Sequence, residues 1–133
     1  MDRMIFVNLP VSDLAASRAF YTGLGFSINE TFSDDRTTGI VVSDTICIML
    51  LTEDRFRDFI NGEISDARTS TEVLNALSAE SPQEVDDLVA RALAHGGKPW
   101  KDKMVDGPMY GHSFTDPDGH VWEVVHMDMS QVQ

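Results

Sequence analysis

The sequence predicts an α+β protein built from two successive βαβββ modules. Helix-capping residues recur about 70 positions apart, Ser12 or Asp13 in the first half and Ser81 in the second. A strand-like run precedes each cap, and residues 111–125 close the chain with a strand, a tight turn and a strand. Neither module could bury a sheet alone, so the two should pack together or exchange with a second chain.

The first module alternates short apolar runs with turn residues. Residues 4–9 are predicted to form a strand ended by Pro10, and the helix that follows should stop at Gly23. The rest of this half is predicted as an extended segment, two strands, a short helix and a polar linker: 26–32, 37–42, 46–51, 52–60 and 61–71.

The second module repeats that order. Residues 72–79 are a candidate strand, and Ser81, Pro82 and Glu84 form the capping-box pattern of a helix start. Apolar residues then recur with helical spacing and predict a buried stripe: Val85, Leu88, Val89, Ala92 and Leu93. The polar segment 98–107 should be part strand and part loop, and its Trp100 is a candidate flap over a binding site.

The closing hairpin contains the turn sequence Asp-Pro-Asp-Gly at 116–119. Pro117 presets a type I turn, and Gly119 supplies the positive φ that closes a bulge. The strand after the turn carries Glu123 among large apolar residues. A carboxylate there must be exposed, paired or bound to something, so Glu123 is the leading candidate for a functional residue.

Composition narrows the class of protein. The 133 residues suit one domain, with module one to about residue 60, a linker at 61–71 and module two at 72–128. A net charge of −12 argues against nucleic acid and anionic membranes as partners. The single cysteine, Cys47, is expected to be a buried thiol. Neither a signal-peptide pattern nor an apolar run of about 20 residues is present, so we expect a cytoplasmic protein.

Two motifs resemble the vicinal oxygen chelate superfamily, which includes glyoxalase I, extradiol dioxygenases, fosfomycin-resistance transferases and bleomycin-resistance proteins. FVNLPVSDLAASRAFYTGLGF looks like its first strand and helix, and FTDPDGHVWEVV looks like its closing hairpin. The resemblance covers nearly the whole chain and is nearest to small glyoxalase-related proteins. It implies a cup-shaped mixed sheet with helices outside, a homodimer, and four His, Gln or Glu ligands for a divalent metal.

Only one of those four ligand positions keeps a ligand here, and it is Glu123. The other three fall on residues that do not usually bind metals: Phe6, Ile48 or Met49, and Leu74 or Asn75. One carboxylate cannot hold a catalytic divalent metal. We therefore expect no cofactor, with a divalent metal bound through Glu123 as the alternative. His120 and His126 share the face opposite Glu123, which leaves His112 as the one histidine that could approach it.

Three functions follow as hypotheses. The first is metal-free binding of a small molecule in an apolar cup, with Glu123 as polar anchor. The expected ligand-binding residues are Phe6, Asn8, Met49, Leu74, Tyr110, His112 and Glu123. The second is an enzyme related to lactoylglutathione lyase, in which Glu123 and His112 are catalytic and Glu123 is the acid or base. The third is a protein with a vestigial pocket that acts through association.

Overall fold

A computed structural model of the chain describes residues 1–131, which divide into two compact units. The first unit is Met1–Asp66, and the second begins at Ala67. The elements of the first unit are β1 (Ile5–Val11), α1 (Leu14–Gly23), β2 (Ser27–Asn29), β3 (Thr37–Val41), β4 (Ile46–Thr52) and α2 (Glu53–Arg57).

The first unit is a four-stranded mixed sheet in the order β1-β4-β3-β2. Strand β1 runs parallel to β4, and the other pairs are antiparallel. Of the two predicted caps, Asp13 is the one used, because its Oδ1 accepts a hydrogen bond from the Ala16 amide at 3.0 Å. Helix α1 packs on β3 and β4 through Phe20 and Tyr21, both fully buried.

Two elements of the first unit differ from the sequence prediction. The extended segment 26–32 contains only the short strand β2 and then a 3₁₀ turn, Glu30–Phe32. The Asn29 side chain accepts from the Thr31 amide at 3.0 Å, and this local bond favours the turn over a longer strand. The predicted helix 52–60 is limited to Glu53–Arg57.

The second unit repeats the plan with a five-stranded mixed sheet. Its elements are β5 (Leu74–Ser78), α3 (Pro82–Ala94), β6 (Lys98–Pro99), β7 (Met104–Asp106), β8 (Met109–Thr115) and β9 (Val121–Met127). The strand order is β5-β9-β8-β6, β5 is parallel to β9, and β7 also pairs with β8. The predicted α+β fold with a repeated module is confirmed, but four strands rather than three follow α3, because the segment 98–107 contributes both β6 and β7. The rest of that segment is loop, as expected.

Helix α3 covers one face of the second sheet. Its Ser81 cap accepts from the Glu84 amide at 3.1 Å. The predicted stripe is confirmed at Val85, Val89 and Ala92, which are buried, and the helix packs on β8 and β9. The prediction is wrong for Leu93, which is 42% exposed. Trp122 is only 2% exposed, as expected for a side chain packed under a helix. Within residues 1–131, no helix is long and apolar enough to cross a membrane.

The hairpin turn has the predicted bulge. The Asp116 amide donates to the His120 carbonyl at 2.9 Å, the Gly119 amide donates to the Asp116 carbonyl at 3.0 Å, and Gly119 has φ +93°. A type I turn followed by one left-handed residue sets the two strands in a fixed register. As a result, Thr115 pairs with Val121 and Ser113 pairs with Glu123.

The linker has no helix or strand, but its residues Ala67 and Arg68 pack on the hairpin turn. A Cβ on Gly119 would lie 3.0 Å from the Arg68 amide nitrogen and 3.1 Å from the Ala67 carbonyl carbon. The Arg68 guanidinium also lies 3.3 Å from the carboxylate of Asp118, which is buried. The second unit therefore begins with a segment that packs on its own hairpin turn.

Candidate functional site

Each sheet has one face covered by its helix and one face without a helix, which we call the helix-free face. Strand side chains alternate between faces, and residues paired across a ladder share a face. In the second sheet, Trp122, Phe114 and Val124 are buried on the side of α3. Glu123, between Trp122 and Val124, therefore projects from the helix-free face.

Glu123 lies in the central strand of the second sheet, where its neighbours are small or apolar. It pairs with Ala76 of β5 on one side and Ser113 of β8 on the other. Val121 and Val125 precede and follow it on the same face. Leu74 pairs with Val121 and so lies on this face as well, 53% exposed, whereas Asn75 pairs with Trp122 on the helix side. Of the two residues considered for that ligand position, Leu74 is the one on the Glu123 face.

The Glu123 carboxylate is half-buried and has no hydrogen bond or ion pair with any of residues 1–130. The nearest polar group along the ladder, the Ser113 hydroxyl, accepts from the Lys101 amide at 3.1 Å. A carboxylate withdrawn from water normally has a partner inside the protein. Glu123 is therefore positioned to receive a hydrogen bond from something other than these residues.

Tyr110 and His112 lie on the opposite face from Glu123. Tyr110 pairs with His126 and His112 pairs with Val124, both on the side of α3. His112 was expected to face Glu123 or a neighbour of it, and it pairs with the neighbour Val124, because the bulge places Ser113 opposite Glu123. A joint acid–base role for His112 and Glu123 on one substrate atom therefore has no geometric support.

Tyr110 takes part in a polar cluster on α3. Its hydroxyl donates to Asp86 Oδ1 at 2.6 Å, and the Lys103 ammonium lies 3.3 Å from the same oxygen. The Tyr110 hydrogen bond, with help from Lys103 and His112, holds the pKa of Asp86 below its usual 3.8. The cluster connects the segment before β7 to α3 through Asp86. The Tyr110 hydroxyl therefore already has a partner within the protein. His126 is likewise engaged, with Nδ1 3.0 Å from the Ala79 carbonyl.

The other expected site residues lie together in the first unit. Asn8 pairs with Met49, Met49 pairs with Gly39, and Phe6 lies two residues before Asn8 on the same face. This is the helix-free face of the first sheet, since Ile48 is fully buried on the side of α1. Met49, rather than Ile48, is therefore the residue at that ligand position. Phe6 is 44% exposed, and Cys47 beside it is buried as predicted.

These positions do not fit the divalent metal that the resemblance implies. Glu123 is the one usual ligand among the four ligand positions, and the other three are Phe6, Met49 and Leu74. Across residues 1–131, no group of three or more His, Cys, Asp or Glu side chains could hold a metal ion. The metal-free character of the protein stays a prediction, which metal analysis of the purified chain would test.

The chain belongs to the Glyoxalase/Bleomycin resistance protein/Dioxygenase superfamily, whose family profile matches residues 3–124. The two mixed sheets with few helices are the fold of that superfamily. No curated protein matches the sequence significantly.

Several solved structures share the fold over almost the whole chain. A hypothetical protein, SA1046, from S. aureus is 28% identical with a TM-score of 0.79, and the match covers 95% of this chain and 94% of that one. A glyoxalase/bleomycin resistance protein/dioxygenase family enzyme from Burkholderia phytofirmans is 22% identical with a TM-score of 0.78, covering 95% and 99%. A lactoylglutathione lyase from Agrobacterium tumefaciens is 16% identical with a TM-score of 0.70, covering 97% and 96%.

Proposed function

We propose that the protein binds a small, largely apolar molecule without a metal, and that Glu123 anchors an ammonium or hydroxyl group of that molecule. The observation that carries the proposal is the half-buried Glu123 carboxylate, which has no partner among residues 1–130. An apolar surface with one well-placed polar group is the usual composition of a small-molecule site.

The surroundings of Glu123 define the class of ligand. Leu74 and Val125 offer an apolar surface on the same face, beside the buried Val121. An ionised carboxylate accepts hydrogen bonds and cannot donate them, so it selects a donor. An amine satisfies it best, because a charge-assisted bond is about twice as strong as a neutral one. In the first unit, Phe6 and Met49 give the helix-free face a similar apolar character around Asn8.

The test compares ligands that differ only in the head group. Hexylamine, hexanol and hexanoate are titrated into the full chain and followed by thermal shift and calorimetry. We expect hexylamine to bind most tightly and hexanoate least. Glu123→Gln keeps the shape of the side chain but removes its charge, and should weaken hexylamine binding at least about tenfold.

A control separates the anchor from the overall negative charge of the protein. Glu72→Gln removes one exposed carboxylate just before β5 and should leave hexylamine binding unchanged. Equal affinities for wild type, Glu72→Gln and Glu123→Gln would remove Glu123 as the anchor. Tighter binding of hexanoate than of hexylamine would contradict the proposed ligand class.

A further inference from the structure

A cavity of about 260 Å³ lies in the second unit beside the hairpin turn. Three segments surround it: linker residues 67–68, β6 with the residue after it at 98–100, and the turn region at 115–119. This volume is just below the range of about 300–1,000 Å³ that is usual for small-molecule sites. A cavity of this size suits a ligand that is smaller than most drug-like molecules.

The turn side of the cavity is rigid. Asp116 is only 1% exposed, and its Oδ1 accepts from the Asp118 amide at 3.0 Å and from the His120 amide at 2.9 Å. These bonds engage the carboxylate within the turn. Gly119 lets the linker backbone lie directly on the turn, since any Cβ there would be 3.0 to 3.1 Å from backbone atoms. The shape of this wall is therefore set before a ligand arrives.

Two cationic side chains and an aromatic ring line the remaining walls. Arg68 is held at the cavity by its ion pair with Asp118, at 3.3 Å. Lys98 pairs with Thr115 in the β6–β8 ladder, and no carboxylate among residues 1–131 forms an ion pair with it. Trp100 follows β6 and is 40% exposed. Pro99 and Pro117 add flat apolar surface nearby.

We propose that this cavity binds a small planar organic anion, such as an aromatic carboxylate. Its carboxylate would meet Lys98 and Arg68, and its ring would lie against the Trp100 indole and the proline rings. Guanidinium and ammonium groups are the usual partners of carboxylates, and aromatic faces favour stacked planar groups. An inorganic anion would leave the aromatic and proline lining unused.

This second site is distinct from the Glu123 anchor and has the opposite charge preference. Thr115 lies two residues beyond Ser113 on β8, roughly 7 Å farther along the same face. A carboxylate ligand would be repelled by Glu123 but attracted by Lys98 and Arg68. Binding at the two sites can therefore be measured separately.

The experiment uses the indole N–H signals of the full ¹⁵N-labelled chain, in which Trp100 and the buried Trp122 are the two tryptophans. The probe is benzoate, with benzyl alcohol as the ring without charge and acetate as the charge without a ring. We expect benzoate to shift the Trp100 signal saturably, to leave the Trp122 signal in place, and to bind more tightly than either control.

Variants locate the charge contact. Lys98→Gln should weaken benzoate binding at least tenfold, whereas Lys101→Gln, an exposed lysine outside the cavity, should bind like wild type. A Trp100 signal that moves no more than that of Trp122, equal affinities in Lys98→Gln and Lys101→Gln, or equal responses to benzoate and benzyl alcohol would each overturn the proposal.

Discussion

Replacing Gly119 by alanine should destabilise the protein through two separable effects. The first effect is backbone strain, because Gly119 has φ +93°, a region that L-residues avoid. Placing alanine there costs about 1–2 kcal/mol of folding stability. The second is steric, because the new methyl group would lie 3.0 Å from the Arg68 amide nitrogen and 3.1 Å from the Ala67 carbonyl oxygen. Overpacking of this kind costs about 1–3 kcal/mol.

Gly62→Ala is the matched control. Gly62 has a similar φ of +89°, but a Cβ there would meet nothing within 4 Å among the described residues. It should therefore lose only the backbone contribution. Urea denaturation followed by circular dichroism gives both free energies of unfolding. We expect Gly119→Ala to be less stable than Gly62→Ala by about 1–3 kcal/mol. Equal losses would show that the linker moves away from the turn without resistance, and would refute the close packing of Ala67 and Arg68 on Gly119.

Four other outcomes follow from the structure. Glu123→Leu should abolish hexylamine binding and raise the free energy of unfolding by about 1 kcal/mol, because a half-buried carboxylate without a partner lowers stability. A variant that is less stable than wild type in urea denaturation would contradict this. The lowered pKa of Asp86 stabilises the fold above about pH 4, and this contribution is lost as pH falls through that pKa. Tyr110→Phe should raise the Asp86 pKa toward 3.8, which NMR titration of the carboxyl group measures, and should weaken the dependence of stability on acid pH. An unchanged pKa would show that the Tyr110 hydrogen bond is not the main cause of the lowered Asp86 pKa. Methylglyoxal with glutathione should give no turnover, with or without added Zn²⁺, Ni²⁺ or Mn²⁺, and any sustained rate would reopen the lyase hypothesis. Light scattering should report a dimer of the 14.8 kDa chain, because the edge strands β1 and β5 expose the apolar side chains Ile5 and Leu74, which a second chain would cover. A monomer would contradict this.

Local sequence signals predicted most of the fold. Asp13, Ser81 and Pro82 define helix starts through bonds within a single turn of helix, and those bonds form as expected. The hairpin bulge was also predictable, since only Gly119 in its sequence accepts the positive φ. The register of Glu123 follows from that bulge, which puts Asp116 opposite His120 and therefore Ser113 opposite Glu123.

Contacts between distant segments could not be read from the sequence. Tyr110 binds Asp86 across 24 positions, and this depends on where α3 crosses the sheet. Arg68 binds Asp118 across 50 positions, through a linker that has no apolar pattern to indicate where it docks. Sequence patterns report which face a side chain takes within its own element. They do not report which element packs on that face.

The parallel pairing of the first and last strands in each unit has a consequence for the order of folding. In the second unit β9 lies between β5 and β8, and Leu74 pairs with Val121 near the far end of the unit. Strand β5 cannot join its sheet until almost the entire unit has been synthesised. Contacts between residues so far apart in sequence make folding slow, because a long loop must close first. Glu123 is in that last strand, so the proposed ligand can recognise only a unit whose sheet is complete.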